Sequence, residues 1–250
     1  MKALLELRGI SAGYANNRVL HHIDLSLGEG ELLVIAGPNG SGKTTLLKTA
    51  GGLLAPLEGT VQINGKNIRR LKPRERAALT AFLFQVRDNP WPFRVRETVT
   101  QGCFARRGWL GAETPGDREA VKAALEKADL IPLAERPLTE LSGGELQRVY
   151  IARCIAQGAA FLLLDEPENN LDPKYAYRVL SLLRELVQEG RGAMVSLHEL
   201  RLAARFAHRI ALLSSDGTIA ALGPPEEVLG EENLSRVYDM ERELVRELML

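Results

Sequence analysis

One stretch of the chain combines glycine, lysine and threonine at a spacing that suits polyphosphate chemistry. It follows the apolar run Leu32–Ala36 and reads Gly37-Pro38-Asn39-Gly40-Ser41-Gly42-Lys43-Thr44-Thr45. A G-x-x-x-x-G-K-[ST] pattern between a strand and a helix predicts a phosphate-binding loop, and a glycine-rich turn without a ligand is the alternative. The glycines let backbone N–H groups point at the phosphates, and the helix adds the positive end of its dipole. We expect Lys43 to reach the β- and γ-phosphates and the Thr44 hydroxyl to bind Mg²⁺.

Two adjacent acids stand at the end of another apolar run. Phe161–Leu164 is typical of a buried strand, and Asp165 and Glu166 follow it. Because ligands of open α/β sheets bind beyond the carboxyl ends of the strands, we expect both acids beside the phosphate loop. Asp165 would share the Mg²⁺ with Thr44, and Glu166 would orient or deprotonate a water that attacks the γ-phosphorus.

Gln85 and His198 end two further predicted strands, Ala81–Phe84 and Ala193–Leu197. Gln85 would bridge the metal and the water, and His198 would hydrogen-bond the γ-phosphate. For a lone glutamine or histidine after a strand, a surface role is the alternative interpretation. Their common position at the strand ends of one phosphate-binding sheet favours the functional interpretation.

A second anion-binding turn is predicted at Ser142-Gly143-Gly144, ahead of a helix that begins near Glu145. The serine would cap this helix and leave N–H groups and the helix dipole available to a phosphate. A plain helix N-cap is the alternative. Since one loop already cradles the triphosphate, the second turn suggests ATP held between two chains.

Tyr14 is predicted to lie in a loop between a first strand, Ala3–Arg8, and a second strand near Val19 and Leu20. An exposed aromatic ring ahead of a phosphate loop would stack on a nucleotide base. A surface tyrosine in a turn is the alternative.

The rest of the chain alternates strands and helices, with one interruption. Residues 86–158 form a helical insertion, with helices predicted at Arg96–Arg107 and Asp117–Leu130. Residues 1–85 and 159–250 form the α/β part, which includes a short antiparallel strand at Thr60–Gly65 and a hairpin across Asp216 and Gly217. This alternation predicts an α/β fold.

The bulk composition excludes some classes of partner. At 250 residues the chain suits one large α/β domain with an inserted subdomain. Lys plus Arg and Asp plus Glu both number 32, so the net charge does not favour nucleic acid or an anionic membrane surface. No apolar run approaches the roughly 18 residues of a membrane span. Cys103 and Cys154 are interpreted as reduced packing residues of a cytosolic protein.

Together these motifs resemble those of the ATP-binding cassette (ABC) ATPases, across essentially the whole chain. The phosphate loop is similar to Walker A, Phe161–Glu166 to Walker B, and Leu141–Glu145 (LSGGE), the most specific match, to the signature motif. The other matches are Gln85 to the Q-loop, Asn170-Leu171-Asp172 to the D-loop, His198 to the switch histidine and Tyr14 to the adenine-stacking aromatic. The resemblance implies a P-loop NTPase (RecA-like) core with an antiparallel β subdomain and an inserted α-helical signature subdomain.

The resemblance also implies how such a protein works. ATP and Mg²⁺ are the expected cofactors, and residues 1–250 are expected to form a single nucleotide-binding domain. Two copies would form a head-to-tail dimer, in which each Ser142 turn contacts the γ-phosphate on the other copy's Walker A loop. ATP would close this dimer and hydrolysis would open it.

A narrower resemblance lies in Asn89–Glu97 (NPWPFRVRE), which looks like the Q-loop exit of importers of ferric siderophores, haem and cobalamin. In that branch this surface receives the coupling helix of a separate permease, and a substrate-binding protein is an indirect partner. We therefore expect membrane permease subunits around Trp91 and Phe93, and an ATPase subunit at the cytoplasmic face of the membrane. Glu168 stands where Thr or Ser is common, and Glu199 where Asp is more frequent; neither change removes a catalytic group.

Two other functions stay open on the sequence alone. A soluble cassette ATPase without a permease, such as one in iron–sulfur cluster assembly, would bury the surface around Trp91 and Phe93 against a soluble partner. A nucleotide-binding scaffold without hydrolysis is the other, and Glu166 with the complete Mg²⁺ set argues against it. The neutral charge and the single cassette argue against a translation or DNA-repair cassette.

Overall fold

The computed structural model describes residues 4–15, 17–84, 92–107, 111–169 and 171–249. Its strands are β1 (Leu4–Tyr14), β2 (Asn17–Gly28), β3 (Leu32–Ala36), β4 (Glu58–Ile63), β5 (Lys66–Asn67), β6 (Thr80–Leu83), β7 (Phe161–Asp165), β8 (Gly192–Ser196), β9 (Arg209–Leu213) and β10 (Ile219–Gly223). Its α-helices are α1 (Lys43–Ala50), α2 (Pro73–Leu79), α3 (Val95–Thr100), α4 (Phe104–Arg107), α5 (Pro115–Lys127), α6 (Gly143–Gln157), α7 (Pro173–Gln188), α8 (Leu200–Phe206), α9 (Pro225–Val228), α10 (Glu231–Tyr238) and α11 (Arg242–Met249). None of the helices in these ranges is long and apolar enough to cross a bilayer.

The larger of two sheets positions the predicted site. Its strand order is β10-β9-β3-β8-β7-β6, and all neighbours are parallel except β10 and β9. Strands β3, β8 and β7 lie side by side, with Ser196 in register with both Ile35 and Asp165. The carboxyl ends of these three strands therefore meet at one edge of the sheet, where the phosphate loop begins.

The central strands are buried on both faces, which explains their continuous apolar runs. Residues such as Leu32 and Val34 pack in a core with helices α3 and α5–α8. The alternate residues Leu33 and Ile35 pack in a second core with α1 and the smaller sheet. That smaller sheet is antiparallel, with order β2-β1-β4-β5. Helix α1 and the phosphate loop are thus held between the two sheets.

The smaller sheet is more extensive than the sequence predicted. Strand β1 continues to Tyr14, which pairs with Asn17, so Tyr14 lies at a strand end and the predicted loop position is wrong. The sequence did not reveal the full length of β1 because the strand is irregular in its middle. The register shifts between Leu7 and Ile10, and Gly9 has φ of +58°. Such a bulge interrupts the alternation that marks a strand in the sequence.

The helical region between β6 and β7 is also more broken than predicted. The helix predicted at Arg96–Arg107 is two short α-helices, α3 and α4, separated by a 3₁₀ turn at Gln101–Cys103. A glycine at position 102 weakens the helix there, and it lets the backbone approach the Arg153 carbonyl. Helix α5 ends at Lys127 rather than Leu130, because Asp129 takes a left-handed φ of 54°. The domain boundaries at residues 86 and 158 stay a prediction.

Candidate functional site

The phosphate loop connects β3 to α1 through glycines that other residues would not replace easily. Gly37, Gly40 and Gly42 have φ of 145°, 83° and 99°, which L side chains rarely adopt. A Cβ on Gly37 would lie 2.4 Å from the Leu213 carbonyl oxygen, and one on Gly42 would lie 2.7 Å from a methyl of Leu20. The curled backbone is therefore fixed by both conformation and packing, as a phosphate cradle requires.

Lys43 folds back over this loop. Its Nζ donates hydrogen bonds to the carbonyl oxygens of Gly37 at 2.8 Å and Pro38 at 3.0 Å. Burial lowers the pKa of the Lys43 ammonium, and the charges of Glu166, Asp165 and others oppose that shift. Lys43 is therefore a buried cation beside the phosphate loop, and its ammonium is held by two carbonyl oxygens of that loop.

Thr44 and Asp165, the two predicted metal ligands in the described part of the chain, lie in contact. The Thr44 hydroxyl donates to Oδ2 of Asp165 at 2.7 Å, and the Ser196 hydroxyl donates to Oδ1 at 2.6 Å. A hydroxyl and a buried carboxylate side by side are the oxygen donors that Mg²⁺ prefers. In the described ranges no group of three or more His, Cys, Asp or Glu side chains is arranged for a metal. A site with a single carboxylate fits Mg²⁺ that completes its shell with phosphate oxygens and water.

Glu166 is held at both carboxylate oxygens. Oε1 lies 2.6 Å from Nε2 of His198, and Oε2 accepts a hydrogen bond from the Asn169 side-chain amide at 3.1 Å. The backbone N–H of Glu166 donates to the Ser196 hydroxyl at 2.9 Å, and its φ of 49° is unusual for a non-glycine residue. Such strain costs about 1–3 kcal/mol and persists where surrounding contacts fix the conformation.

Glu166 and the phosphate loop line the same cleft. The cleft has a volume of about 200 Å³ and is lined by Val19, Asn39, Gly40, Gly42, Lys43, Thr44, Thr45 and Glu166. The structure therefore brings the predicted carboxylate base next to the predicted phosphate cradle. His198 joins them through its contact with Glu166.

The Ser142 turn is a helix N-cap, as predicted. The Ser142 hydroxyl accepts a hydrogen bond from the Glu145 N–H at 3.3 Å and lies 2.8 Å from Oε2 of Glu145. Hydrogen bonds from Ser142 lower the pKa of Glu145. Ser142 and Gly143 are exposed at the start of the 15-residue helix α6. This end of the helix is therefore accessible from solvent.

Tyr14 lies near the phosphate-loop helix. Its ring is about half exposed, and Nζ of Lys48 in α1 lies 5.8 Å from the ring centroid. The same ammonium lies 5.7 Å from the ring centroid of Phe84. The proximity to α1 is compatible with stacking on a nucleotide base, which stays a prediction.

Some site residues were missed by the sequence analysis, and others lie outside the described ranges. Asn169 and Ser196 fix Glu166 and Asp165, and Gln147 in α6 donates to the Pro167 carbonyl oxygen at 3.0 Å. Only Ser196 had a sequence signal, as a polar residue that ends an apolar strand. Gln85, Trp91 and Asn170 lie outside the described residues.

Comparisons with known proteins show the family of the chain. The model of the family described as "ABC transporter" matches residues 20–169. The chain belongs to the ABC transporter ATPase family. It is 39% identical to the hemin import ATP-binding protein HmuV of Chelativorans sp. (strain BNC1), over 94% of this chain and 91% of that protein. It is 36% identical to the iron(3+)-hydroxamate import ATP-binding protein FhuC of Bacillus subtilis (strain 168), over 96% and 90%.

A solved ABC structure shows the same fold. It is a dimeric post-hydrolysis state of an ATP-binding cassette bound to ADP and Pi, 30% identical in sequence. The superposition has a TM-score of 0.77 and covers 88% of this chain and 98% of that chain. The predicted α/β P-loop NTPase fold is confirmed. The protein is an ABC ATPase, and ATP is its substrate.

Proposed function

We infer that this chain is the ATPase subunit of an importer that moves an iron-siderophore, haem or cobalamin-type substrate through a separate membrane permease. The observation that carries this inference is the likeness to the hemin import protein, which covers nearly all of both chains. The hydroxamate import protein supports the same class of cargo. The soluble cassette of iron–sulfur cluster assembly is not favoured, because these relatives are import proteins.

Glu166 acts as the base in the proposed reaction. It takes a proton from a water whose oxygen attacks the γ-phosphorus, the bond to the bridging oxygen breaks, and ADP and phosphate leave. His198 at Oε1 and Asn169 at Oε2 support this role, because they orient the carboxylate before the water arrives. His198 would also hydrogen-bond the γ-phosphate, and Gln85 would contact both the Mg²⁺ and the attacking water.

The phosphate loop binds and orients the nucleotide. Residues Gly37–Thr45 wrap the phosphates, and Lys43 exchanges its carbonyl partners for phosphate oxygens. Tyr14 stacks on the base. Mg²⁺, when bound by Thr44 and Asp165, neutralises charge on the phosphates.

The active form is a head-to-tail dimer of two copies. In it, Ser142, Gly143 and Gly144 of one copy contact the γ-phosphate held by the Walker A loop of the other. The exposed start of α6 supports this arrangement, as does the dimeric state of the solved ABC cassette bound to ADP and Pi.

The permease docks beside the surface around Trp91 and Phe93, at the cytoplasmic face of the membrane. An open cleft of about 530 Å³ lies between the β6 end and the helical region, and Leu53, Phe84 and Phe104 expose apolar area there. Phe93 is exposed as well. A cleft that combines exposed aromatic rings with polar side chains such as Arg76 and Arg153 suits a helix from an integral membrane protein. The substrate-binding protein contacts the permease and not this chain.

A pull-down from solubilised membranes tests this function. Tagged Glu166→Gln protein with ATP should recover a polytopic permease, identified by mass spectrometry. Phe104→Asp added to the Glu166→Gln protein should abolish recovery of the permease, and Phe104→Asp alone should keep ATP hydrolysis. Ile131→Asp, at a similarly exposed apolar residue outside the cleft, should change neither result. Recovery of soluble partners alone, with no protein in the membrane fraction, contradicts the transporter assignment.

A further inference from the structure

Glu168 is a buried acid for which the proposed reaction has no use. It lies two residues after Glu166 in the turn between β7 and α7, and only 9% of it is exposed. Burial raises the pKa of its carboxyl group. Placing a carboxylate in such surroundings is costly, and an apolar side chain would avoid the cost. The contacts of Glu168 therefore need an explanation beyond packing.

The Glu168 carboxylate contacts the main chain of the switch histidine. Its Oε1 accepts a hydrogen bond from the His198 backbone N–H at 2.9 Å. Its Oε2 is buried and has no hydrogen-bond partner within the described residues. A hydrogen bond to a carboxylate is roughly twice as strong as one between neutral groups, so this contact fixes the position of the His198 backbone.

One turn thus holds His198 at two points. Glu166 contacts the imidazole and Glu168 contacts the backbone N–H. The turn itself is anchored, because Gln147 of α6 donates to the Pro167 carbonyl oxygen and the Ser196 hydroxyl accepts the Glu166 N–H. The position of the imidazole relative to Glu166 therefore depends on the Glu168 contact.

We propose that Glu168 is a positioning residue that fixes the His198 backbone so that the imidazole meets Glu166 and the γ-phosphate. The proposal rests on the roles proposed above for Glu166 and His198. Without the carboxylate acceptor, the segment after β8 would lose its hydrogen bond to the turn that carries Glu166 and Glu168. Small displacements of a catalytic group lower the reaction rate strongly, and a shift of about 1 Å lowers it by up to about 100-fold.

Steady-state ATP hydrolysis by conservative variants tests the proposal. Glu168→Met fills the same space without an acceptor, so kcat should fall at least about tenfold while KM for ATP changes less than about twofold. Glu168→Gln keeps a carbonyl oxygen as acceptor, and its kcat should stay within about twofold of the wild type. If Glu168→Met does not fold, Glu168→Ala removes the acceptor without adding bulk, and the same loss is expected. Wild-type kcat in Glu168→Met or Glu168→Ala overturns the proposal.

A double-mutant cycle separates positioning from general damage to the fold. In a His198→Ala background there is no imidazole to position, so Glu168→Met should lower kcat by less than about twofold. A full additional loss there shows that Glu168 acts by another route and overturns the proposal. Wild-type kcat in His198→Ala alone contradicts the proposed site instead. A loss in His198→Ala with full activity in Glu168→Met contradicts only the role of Glu168.

Discussion

The Thr44 hydroxyl donates a hydrogen bond to Oδ2 of Asp165 at 2.7 Å, although the two residues lie 121 positions apart in the chain. Thr44 comes from the start of α1 and Asp165 from the end of β7. Because the larger sheet brings their elements to one edge, two oxygen donors lie together at the phosphate loop. We expect a Mg²⁺ site at this pair.

Asp165→Asn should therefore weaken the response to Mg²⁺. An amide oxygen carries no charge, so the Mg²⁺ concentration for half-maximal hydrolysis should rise about tenfold or more. Mg²⁺ titration of the ATPase rate gives the value, and a chelator should abolish hydrolysis in the wild type. Asp129→Asn, at an exposed aspartate after α5, is the control and should leave the titration unchanged. An unchanged titration in Asp165→Asn would assign the metal to other residues.

Lys43→Ala should weaken ATP binding. Hydrogen bonds to charged groups contribute about 1.5–3 kcal/mol, which corresponds to a loss of about 10- to 100-fold in affinity. Calorimetric titration with ATP measures the Kd. Lys122→Ala removes an exposed lysine of α5 and should bind ATP like the wild type. Equal affinity in both variants means that Lys43 does not meet the phosphates.

Glu166→Gln should separate binding from hydrolysis. The amide cannot accept the proton of the attacking water, so kcat should fall by about 10²- to 10⁴-fold while ATP still binds. The trapped ATP should also hold the chain as a dimer, which light scattering after size exclusion would detect. Glu185→Gln, at an exposed site in α7, should show neither effect. Near-normal hydrolysis by Glu166→Gln would show that another residue is the general base.

Glu168→Gln should change how stability depends on pH. Burial outweighs the hydrogen bond from His198 and raises the pKa of the Glu168 carboxyl above its ordinary 4.5. The folded chain then binds this proton more tightly than the unfolded chain, so wild-type stability falls as pH rises from about 4.5 through the folded pKa. Glutamine has no such proton.

The variant should therefore be more stable than the wild type near about pH 7.5, and the gain should shrink at about pH 4. Urea unfolding at both pH values measures the two free energies. A gain that grows toward acid pH would mean that the Glu168 pKa is lowered in the folded state.

Gly37→Ala should destabilise the chain more than Gly65→Ala. Both positions have positive φ, so both variants carry backbone strain of about 1–3 kcal/mol. At Gly37 the new Cβ also meets the Leu213 carbonyl oxygen, whereas at Gly65 nothing lies within 4 Å. Overpacking of this kind adds about 1–3 kcal/mol. Thermal or urea unfolding without nucleotide measures the difference, and equal losses would show that the loop relaxes around the extra carbon.

The positions of the site residues at strand ends could be predicted from the sequence. Asp165 and His198 each come after an apolar run, and parallel strands deliver their ends to one edge of a sheet. Gly37–Thr45 carries its own pattern of glycine and lysine. Local sequence was sufficient to place these residues, because the position of each depends on the strand or helix that carries it.

Contacts between elements could not be predicted in the same way. The amide of Asn169 meets Glu166 because of a turn with a left-handed residue at position 166, and no spacing in the sequence marks that turn. Gln147 meets Pro167 only after α6 packs against the strand layer. The extent of β1 was missed for a related reason, because a bulge at Gly9 breaks the alternating pattern.

The hydrogen bond between Gln147 and the Pro167 carbonyl has a consequence for communication between two copies. Gln147 lies one turn beyond the exposed start of α6, and Pro167 adjoins Glu166. In the proposed dimer, a nucleotide of the neighbouring copy bound at the start of α6 would be connected through this hydrogen bond to the chain's own catalytic turn. ATP binding by one copy would thereby affect the catalytic turn of the other. The two ATP molecules would then be hydrolysed cooperatively rather than independently.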